Sequence, residues 1–166
     1  MEKPILKKLY FSPVKSLSFS SKKNLKIKKN LGIINDRIFA FTRLISETKA
    51  NDYKKDPSKR NLKFFLTLKN SPFLNKYNFE YKENELKMLI KKNLIKKIDL
   101  NDDNNLKLIS KELIKRETII NYFPYLIKNV NSPFFDTMPQ NSISLINLNS
   151  IKDFEKKIDH KIDHER

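Results

Sequence analysis

Hydrophobic and polar residues alternate along the first third of the chain with the period of two that is typical of β-strands. This pattern predicts strands at residues 5–11, 24–28 and 37–43. Gly32, which is the only glycine of the chain, lies between the second and third of these strands, where a turn can require a positive φ. The first third is therefore expected to be β structure.

The middle of the chain continues this pattern after one polar interruption. Residues 46–61 are polar and basic, which predicts a solvated loop that can include a short helix. The apolar run at residues 61–68 predicts another strand. Residues 77–81 and 85–90 predict two more strands, joined by a hairpin turn at residues 82–84.

The last third of the chain contains two helical patterns. Ser110 can cap the first helix, in which apolar residues follow a spacing of 3.6 as far as Ile120, and Pro124 ends it. A short strand is predicted at residues 142–146 and a second helix from about Ser150. Together the elements predict an α+β fold that is mainly β.

Composition narrows the class of protein. With 39% hydrophobic and 33% charged residues, the chain is expected to fold into one domain, or one domain and part of a second. The absence of cysteine excludes disulfides and thiolate metal sites within it. No apolar run has the length of a signal peptide or of a membrane span, so we expect a cytoplasmic protein with no membrane association.

The net charge of +16 attracts phosphates, nucleic acids and anionic lipid surfaces. Only five of the 35 cations are arginine, whereas proteins that contact base edges favour the guanidinium fork. Lys, Asn and Ile dominate the chain together, so a preference for AT-rich codons also explains the charge. A nucleic-acid partner is therefore not expected, although a basic nucleic-acid-binding β module stays open as an alternative.

A proline interrupts the first predicted strand in the sequence LYFSPVKS. Pro13 fixes its own φ and keeps the preceding residue extended, so the chain must bend after Phe11. The bend places Lys15 and Ser16 at the end of a sheet, where an ammonium, a hydroxyl and backbone N–H groups can hold a phosphate. A surface lysine in an ordinary turn is the alternative interpretation.

A second candidate motif is GIINDRIFAF, in which Asp36 and Arg37 follow Gly32 at the start of a strand. A carboxylate beside a guanidinium can orient it while leaving donors for a planar anion. A turn-capping aspartate with a solvated arginine explains the same residues.

These two motifs resemble the start of the N-terminal β-barrel domain of MOSC proteins, the family of the molybdenum cofactor sulfurase C-terminal domain. LYFSPVKS is similar to the family's strand followed by Y-P-V-K-S, with Ser12 in the tyrosine position, and GIINDRIFAF is similar to G-L-x-x-D-R and an aromatic strand. The sequence FFDTMPQNSISLINLNSIKDFEKKI resembles the entry into the MOSC core, where Asp136, Pro139, Ser144 and Leu148 occupy matching positions.

The resemblance implies a MOSC N-terminal β-barrel-like domain at residues 1–128 and the truncated beginning of the MOSC core at residues 129–166. It also implies an oxidoreductase or a sulfur carrier whose intact form binds the molybdenum cofactor, molybdopterin, with an electron-transfer partner, and pyridoxal phosphate binding as a further property of the family. The implied cofactor-binding residues are Lys15, Ser16, Arg37 and Ser144.

Two departures from the family pattern limit this interpretation. Family members ligate molybdenum through a cysteine in the later part of the core, and this chain has none. The family's F-R-x-N strand is also missing, so this chain is expected to supply half a site and to be inactive alone. An interaction domain or an inert fragment is a further alternative.

Three other groups of residues were weighed as sites. His160 and His164 share a helical face, but a frayed polar helix end explains them better than a metal site. The acidic sequence IDLNDDNN lacks the glycine and closing glutamate of a calcium loop. Strand aromatics such as Phe39, Phe41 and Phe79 are expected in the core, because a small β domain needs their apolar area inside.

Overall fold

The computed structural model describes residues 5–17, 19–135 and 147–162. Within these ranges the fold is mixed α+β, with nine strands and three α-helices. The strands are β1 (Leu9–Phe11), β2 (Ser20–Lys22), β3 (Ile27–Lys28), β4 (Gly32–Ile33), β5 (Phe39–Phe41), β6 (Tyr77–Lys82), β7 (Glu85–Ile90), β8 (Asn93–Asp99) and β9 (Leu126–Lys128). The helices are α1 (Glu47–Lys55), α2 (Leu106–Arg116) and α3 (Leu148–Ile158).

The strands of the described chain form four small sheets and do not close into a barrel. β1 pairs with β2, β3 with β4 and β5 with β9, while β6, β7 and β8 form a three-stranded meander, and all these pairs are antiparallel. The prediction of an α+β fold with more strand than helix is confirmed at this level.

The short strand β5 lies at the centre of the molecule. It pairs with β9 on one edge, and on the other edge Phe39 forms a parallel bridge with Val14. Phe39 and Phe41 belong to the larger hydrophobic cluster, where they contact Tyr81 and Phe79 of the meander. Because side chains alternate along a strand, Ala40 points the opposite way, into a smaller cluster.

The smaller cluster lies between β5 and α1. Ser46 caps α1 by accepting a hydrogen bond from the Lys49 amide at 3.3 Å, and the helix buries Ala50 and Tyr53 against Phe65. A helix within the polar stretch at residues 46–61 is therefore confirmed.

The hairpin of β6 and β7 is confirmed, and its register pairs Tyr77 with Ile90 and Lys82 with Glu85. Glu83 adopts a φ of 55° in the turn. β7 spans the predicted residues 85–90. Along most of the strand, buried residues alternate with partly buried ones, which is the pattern of a strand with one face in the core.

The strand predicted at residues 61–68 is wrong, because Leu62–Phe64 forms a short 3₁₀ helix. The Asn61 side chain accepts a hydrogen bond from the Lys63 amide at 3.2 Å, and such local turns compete with strand pairing. Within this run Phe65 forms only an isolated antiparallel bridge, with Thr42. β2, β4, β8 and β9 were not predicted, and the strand predicted at residues 142–146 lies outside the described residues.

The predicted start of α2 is also wrong, because the helix begins at Leu106 and not at Ser110. Leu106, Ile109 and Leu113 form its buried face, and Ser110 is itself fully buried on that face. The Ser110 hydroxyl accepts a hydrogen bond from the Leu126 amide at 3.0 Å, which joins α2 to β9. The helix predicted from about Ser150 is confirmed as α3, which Asn147 caps.

Candidate functional site

The bend at Pro13 is a compact turn that begins where β1 ends. The Ser12 hydroxyl donates to the carbonyls of Val14 and Leu17, at 2.6 and 3.1 Å, and the Leu17 amide donates to Val14 at 3.3 Å. Ser16 has a φ of 58°, in the left-handed region that non-glycine residues avoid. Six residues of local sequence, Ser12 to Leu17, therefore fix the position of Lys15 and Ser16.

Backbone hydrogen bonds attach this turn to the chain leading into β5. The Arg37 amide donates to Ser12 at 2.6 Å, Phe39 donates to Pro13 at 3.0 Å, and Lys15 donates to Phe39 at 2.8 Å. The two sequence motifs, which lie about twenty residues apart, are consequently joined edge to edge. Lys15 and Arg37 lie on the same side of the molecule, at the common edge of the turn and β5.

Asp36 connects the two motifs through its carboxylate. One oxygen accepts the Ser12 amide at 2.8 Å and the other pairs with the Arg37 Nη1 at 2.6 Å. The carboxyl is buried, and burial raises its pKa against the lowering effects of the Arg37 charge and the Ser12 amide. Arg37 keeps a third of its side-chain surface exposed, and its backbone φ of 51° lies in the strained left-handed region.

A third stretch, residues 129–135, crosses both motifs, and we refer to it as the strap. The Phe134 amide donates to the Arg37 carbonyl at 2.8 Å. The Phe134 carbonyl accepts a hydrogen bond from the Lys15 ammonium at 3.3 Å, across 119 residues of sequence. The Arg37 guanidinium lies 5.3 Å from the centre of the Phe135 ring, within the range of a cation–π contact.

Arg60 is a residue of the site region that the sequence analysis did not identify. Its Nε donates to Tyr53 at 2.8 Å, and its Nη1 donates to the carbonyls of Ser132 and Pro133 at 2.7 and 3.1 Å. The guanidinium lies 4.0 Å from the centre of the Phe134 ring. Arg60 thus binds the two strap carbonyls that precede the one bound by Lys15, and the scarcity of arginine was the only sequence signal that could have indicated it.

Burial changes the electrostatics of Arg60. Desolvation lowers its pKa to about 10, an effect that the charge of Asp56 partly opposes, so the side chain stays protonated at neutral pH. Its Nη2 is buried without a hydrogen-bond partner among the described residues. A buried cation with three carbonyl acceptors is a rigid support for the backbone that it contacts.

The predicted site residues have different environments. Lys15 has only 3% of its surface exposed, so the bend encloses its ammonium instead of presenting it to solvent. Ser16 and Arg37 are each partly buried, and a third of the Arg37 side-chain surface is exposed. Ser144 lies outside the described residues.

The arrangement suits an anion. Apart from the contacts with Asp36 and Phe135, the Arg37 side chain has no hydrogen-bond partner among the described residues, so several N–H donors point away from the carboxylate. A planar fork of this kind binds phosphate or the hydrogen-bonding edge of a heterocycle. The Lys15 ammonium, which donates to the Phe134 carbonyl of the strap, adds positive charge to the same region.

Other candidate sites received no support within the described ranges. No three metal-ligating side chains lie close together there, and the position of His164 is not described. Phe39, Phe41, Phe65 and Phe79 are buried in the core, as predicted. No helix in the described parts of the chain has the length and apolar character needed to cross a bilayer.

The fold and the site together define a small α+β protein with an arginine–lysine pair on a bent strand end. Comparisons with protein-family models, with curated proteins and with solved structures each gave no match for this chain. The MOSC resemblance therefore rests on the sequence motifs.

Proposed function

We propose that this chain contains the N-terminal domain of a MOSC-type protein, followed from residue 129 by the beginning of a MOSC core. In this proposal it binds the phosphate-bearing pterin of the molybdenum cofactor through Arg37 and Ser16, supported by Lys15. One observation carries the proposal: three backbone hydrogen bonds and the Asp36 carboxylate bring the two matching motifs together.

Backbone strain supports a binding role for the turn. Ser16 and Arg37 both adopt left-handed backbone conformations, which cost free energy for residues with a Cβ. Such conformations persist where the surrounding structure enforces them, and they are common at ligand sites. Both of these residues are among those that the family resemblance selects.

The two cations have different proposed roles. Arg37 is accessible and keeps donors that can form two parallel hydrogen bonds with a phosphate or a pterin edge. Lys15 is enclosed and bonded to the Phe134 carbonyl, so it contributes positive potential and holds the strap instead of touching the ligand. The Ser16 hydroxyl can add one hydrogen bond to the same anion.

The residues present fit the phosphate and pterin of the cofactor but not its metal. The chain contains no cysteine, so its own residues offer no thiolate to molybdenum. When bound, the cofactor supplies the redox chemistry, and this chain binds and orients it. Whether that chemistry is reduction with an electron-transfer partner or sulfur transfer is not fixed by Arg37 or Ser16.

Binding of isolated cofactor tests the proposal. The chain is mixed with molybdenum cofactor released from a molybdoenzyme, and retained pterin is quantified by fluorescence after gel filtration. Arg37→Gln is expected to weaken binding about 10-fold or more, because it removes hydrogen bonds to a charged acceptor. Ser16→Ala is expected to weaken it by less.

Arg116→Gln is the matched control, because Arg116 is a surface arginine paired with Glu112 on α2 and lies on a different element. It should retain as much pterin as the parent chain. Circular dichroism checks that all variants fold. Equal retention by the Arg37→Gln variant and the parent, or no retention by either, would refute the assignment.

Burial of the strand aromatics removes one of the two observations that favoured a nucleic-acid-binding module. It depended on net charge and on aromatic rings along strands, but Phe11, Phe39, Phe41, Phe65 and Phe79 are each less than a tenth exposed. Buried rings cannot stack on bases. Only the charge remains, and its distribution suggests a different partner.

A further inference from the structure

Positive charge is concentrated near the start of the chain. Residues 3–35 contain nine lysines and no aspartate or glutamate, so one fifth of the sequence carries more than half of the net charge of +16. General enrichment in lysine does not explain this asymmetry, because acidic residues occur throughout the remainder of the chain.

The structure gathers this charge on two adjoining hairpins. Leu9 pairs with Lys22 in the β1–β2 ladder, and the chain continues four residues after β2 into the β3–β4 hairpin. We call the exposed cations of the two hairpins and of their connection the hairpin lysines: Lys22, Lys23, Lys26, Lys28 and Lys29. None of these five forms an ion pair with a described residue, whereas Lys54, Lys76 and Lys107 each pair with an acid.

Large hydrophobic side chains, aliphatic except for Phe19, are exposed among these cations. Ile27 lies between Lys26 and Lys28 in sequence and is 64% exposed. Ile34, whose amide donates to the Lys26 carbonyl at 2.9 Å, is 36% exposed, and Phe19 just before β2 is 40% exposed. Ile5 and Leu6, in the segment leading into β1, are 73% and 65% exposed.

We propose that this surface binds the anionic face of a lipid bilayer peripherally. The hairpin lysines would contact lipid phosphates and carboxylates, while Ile34, which lies across the ladder from Lys26 on the same face, would enter the interfacial layer. This inference is independent of the cofactor proposal, and it differs from the expectation of no membrane association. It requires no membrane-spanning segment.

The exposed side chains favour lipid over nucleic acid as the anionic partner. Nucleic-acid surfaces use aromatic rings for stacking and arginine for base edges, and residues 3–35 contain no arginine. Aliphatic side chains gain nothing from a phosphate backbone, but they lose water contact when they enter the lipid interface.

Vesicle cosedimentation tests this inference on the full chain. The expected result is binding to vesicles of phosphatidylcholine with phosphatidylserine, weak binding to phosphatidylcholine alone, and loss of binding as salt rises. The triple variant K26Q/K28Q/K29Q should bind the anionic vesicles about 100-fold more weakly, because each lysine near the surface contributes roughly fivefold. Ile34→Ser should also weaken binding to the anionic vesicles at low salt, because it removes apolar area from the face that carries Lys26 and Lys28.

A matched triple variant, K69Q/K111Q/K115Q, removes the same charge from exposed lysines on other elements. It should change vesicle binding by less than about threefold, given that screening confines the attraction to nearby charges. Equal effects of the two triples, or no binding to anionic vesicles at low salt, would overturn the proposal. So would tighter binding to a single-stranded oligonucleotide that only the hairpin variant loses.

Discussion

Glu117 follows the last residue of α2, and its carboxylate is buried. It accepts a hydrogen bond from the Tyr77 hydroxyl and pairs with the Lys76 ammonium at 2.6 Å. Tyr77 is fully buried in the larger cluster, whereas Lys76 is half exposed. A buried carboxylate with two donors is stable, but the loss of either donor leaves an under-satisfied charge inside the protein.

Tyr77→Phe is expected to destabilise the protein by about 1.5–3 kcal/mol at neutral pH, because the hydroxyl donates to a charged acceptor. Chemical denaturation followed by circular dichroism measures the change. Tyr122→Phe is a suitable control, because Tyr122 packs against the same cluster and its hydroxyl has no hydrogen bond with a described residue. If Tyr77→Phe and Tyr122→Phe lost the same free energy of unfolding, the hydrogen bond from Tyr77 to Glu117 would contribute nothing to stability.

The contact between Tyr77 and Glu117 also predicts how the free energy of unfolding depends on pH. Burial, and after it the hydrogen bond to Glu117, raise the pKa of Tyr77. A tyrosine with a raised pKa stabilises the fold fully below its unfolded value near 10, and this contribution is lost as the pH rises above that value. The stability advantage of the parent over Tyr77→Phe should therefore narrow above about pH 10 and stay constant between pH 6 and about 9.

At the scale of elements, the strap depends on side chains from distant parts of the chain. The Asn129 amide donates to Ile38 at 2.8 Å, and its side chain donates to Lys54 at 2.7 Å and accepts from Ser132 at 2.7 Å. Arg60 and Lys15 then bind three consecutive carbonyls of the strap. The strap has no regular secondary structure, and hydrogen bonds to distant parts of the chain fix its position.

Arg60→Ala is expected to loosen the strap and to cost about 2–4 kcal/mol, through lost hydrogen bonds and a lost cation–π contact. Hydrogen exchange at the Phe134 amide, which donates to Arg37, reports this directly and should accelerate. Arg60→Lys should restore only part of the protection, since an ammonium lacks the planar fork.

Arg116→Ala gives the scale for an exposed arginine, because its pair with Glu112 is an i,i+4 contact on a helix surface. It should cost about 0.5 kcal/mol or less and leave exchange at Phe134 unchanged. If Arg60→Ala resembled this control, Arg60 would be a peripheral contact and not a support of the strap.

Elements with short-range determinants could be predicted from the sequence. The β6–β7 hairpin follows from period-two alternation on both sides of a polar turn, and α3 follows from a capping residue and a 3.6-residue apolar spacing. The start of α2 could not be fixed in this way, because Ser110 is a favourable cap in isolation but is buried against β9. Similarly, the apolar run after Asn61 satisfied the strand pattern, although a local turn and not a strand forms there.

At the scale of the whole molecule, β5 and β9 each contribute to both hydrophobic clusters. Phe39, Phe41 and Leu126 point into the larger cluster, while Ala40 and Ile127 point into the smaller one. Unfolding of the smaller cluster would therefore expose one face of β5 and β9, whose opposite face packs in the larger cluster. The two clusters are expected to unfold together.

Coincident denaturation curves by far-ultraviolet circular dichroism and tyrosine fluorescence test this expectation. Phe65→Ala, in the smaller cluster, should lower both midpoints equally, with a loss of about 3–5 kcal/mol. Leu62→Ala is the control, because Leu62 is 46% exposed, and it should change either midpoint little. Separate transitions for the two probes would show that the clusters are independent.

The sequence by itself determined the bend at Pro13, the hairpin and the terminal helix, since each depends on backbone preferences within a few residues. It also indicated Lys15 and Arg37 as a pair through the two motifs. Tertiary structure alone decided that Lys15 is enclosed, that Arg60 supports the site, and that the strap covers both motifs. These features depend on hydrogen bonds across as many as 119 residues, and no local pattern encodes a partner at that distance.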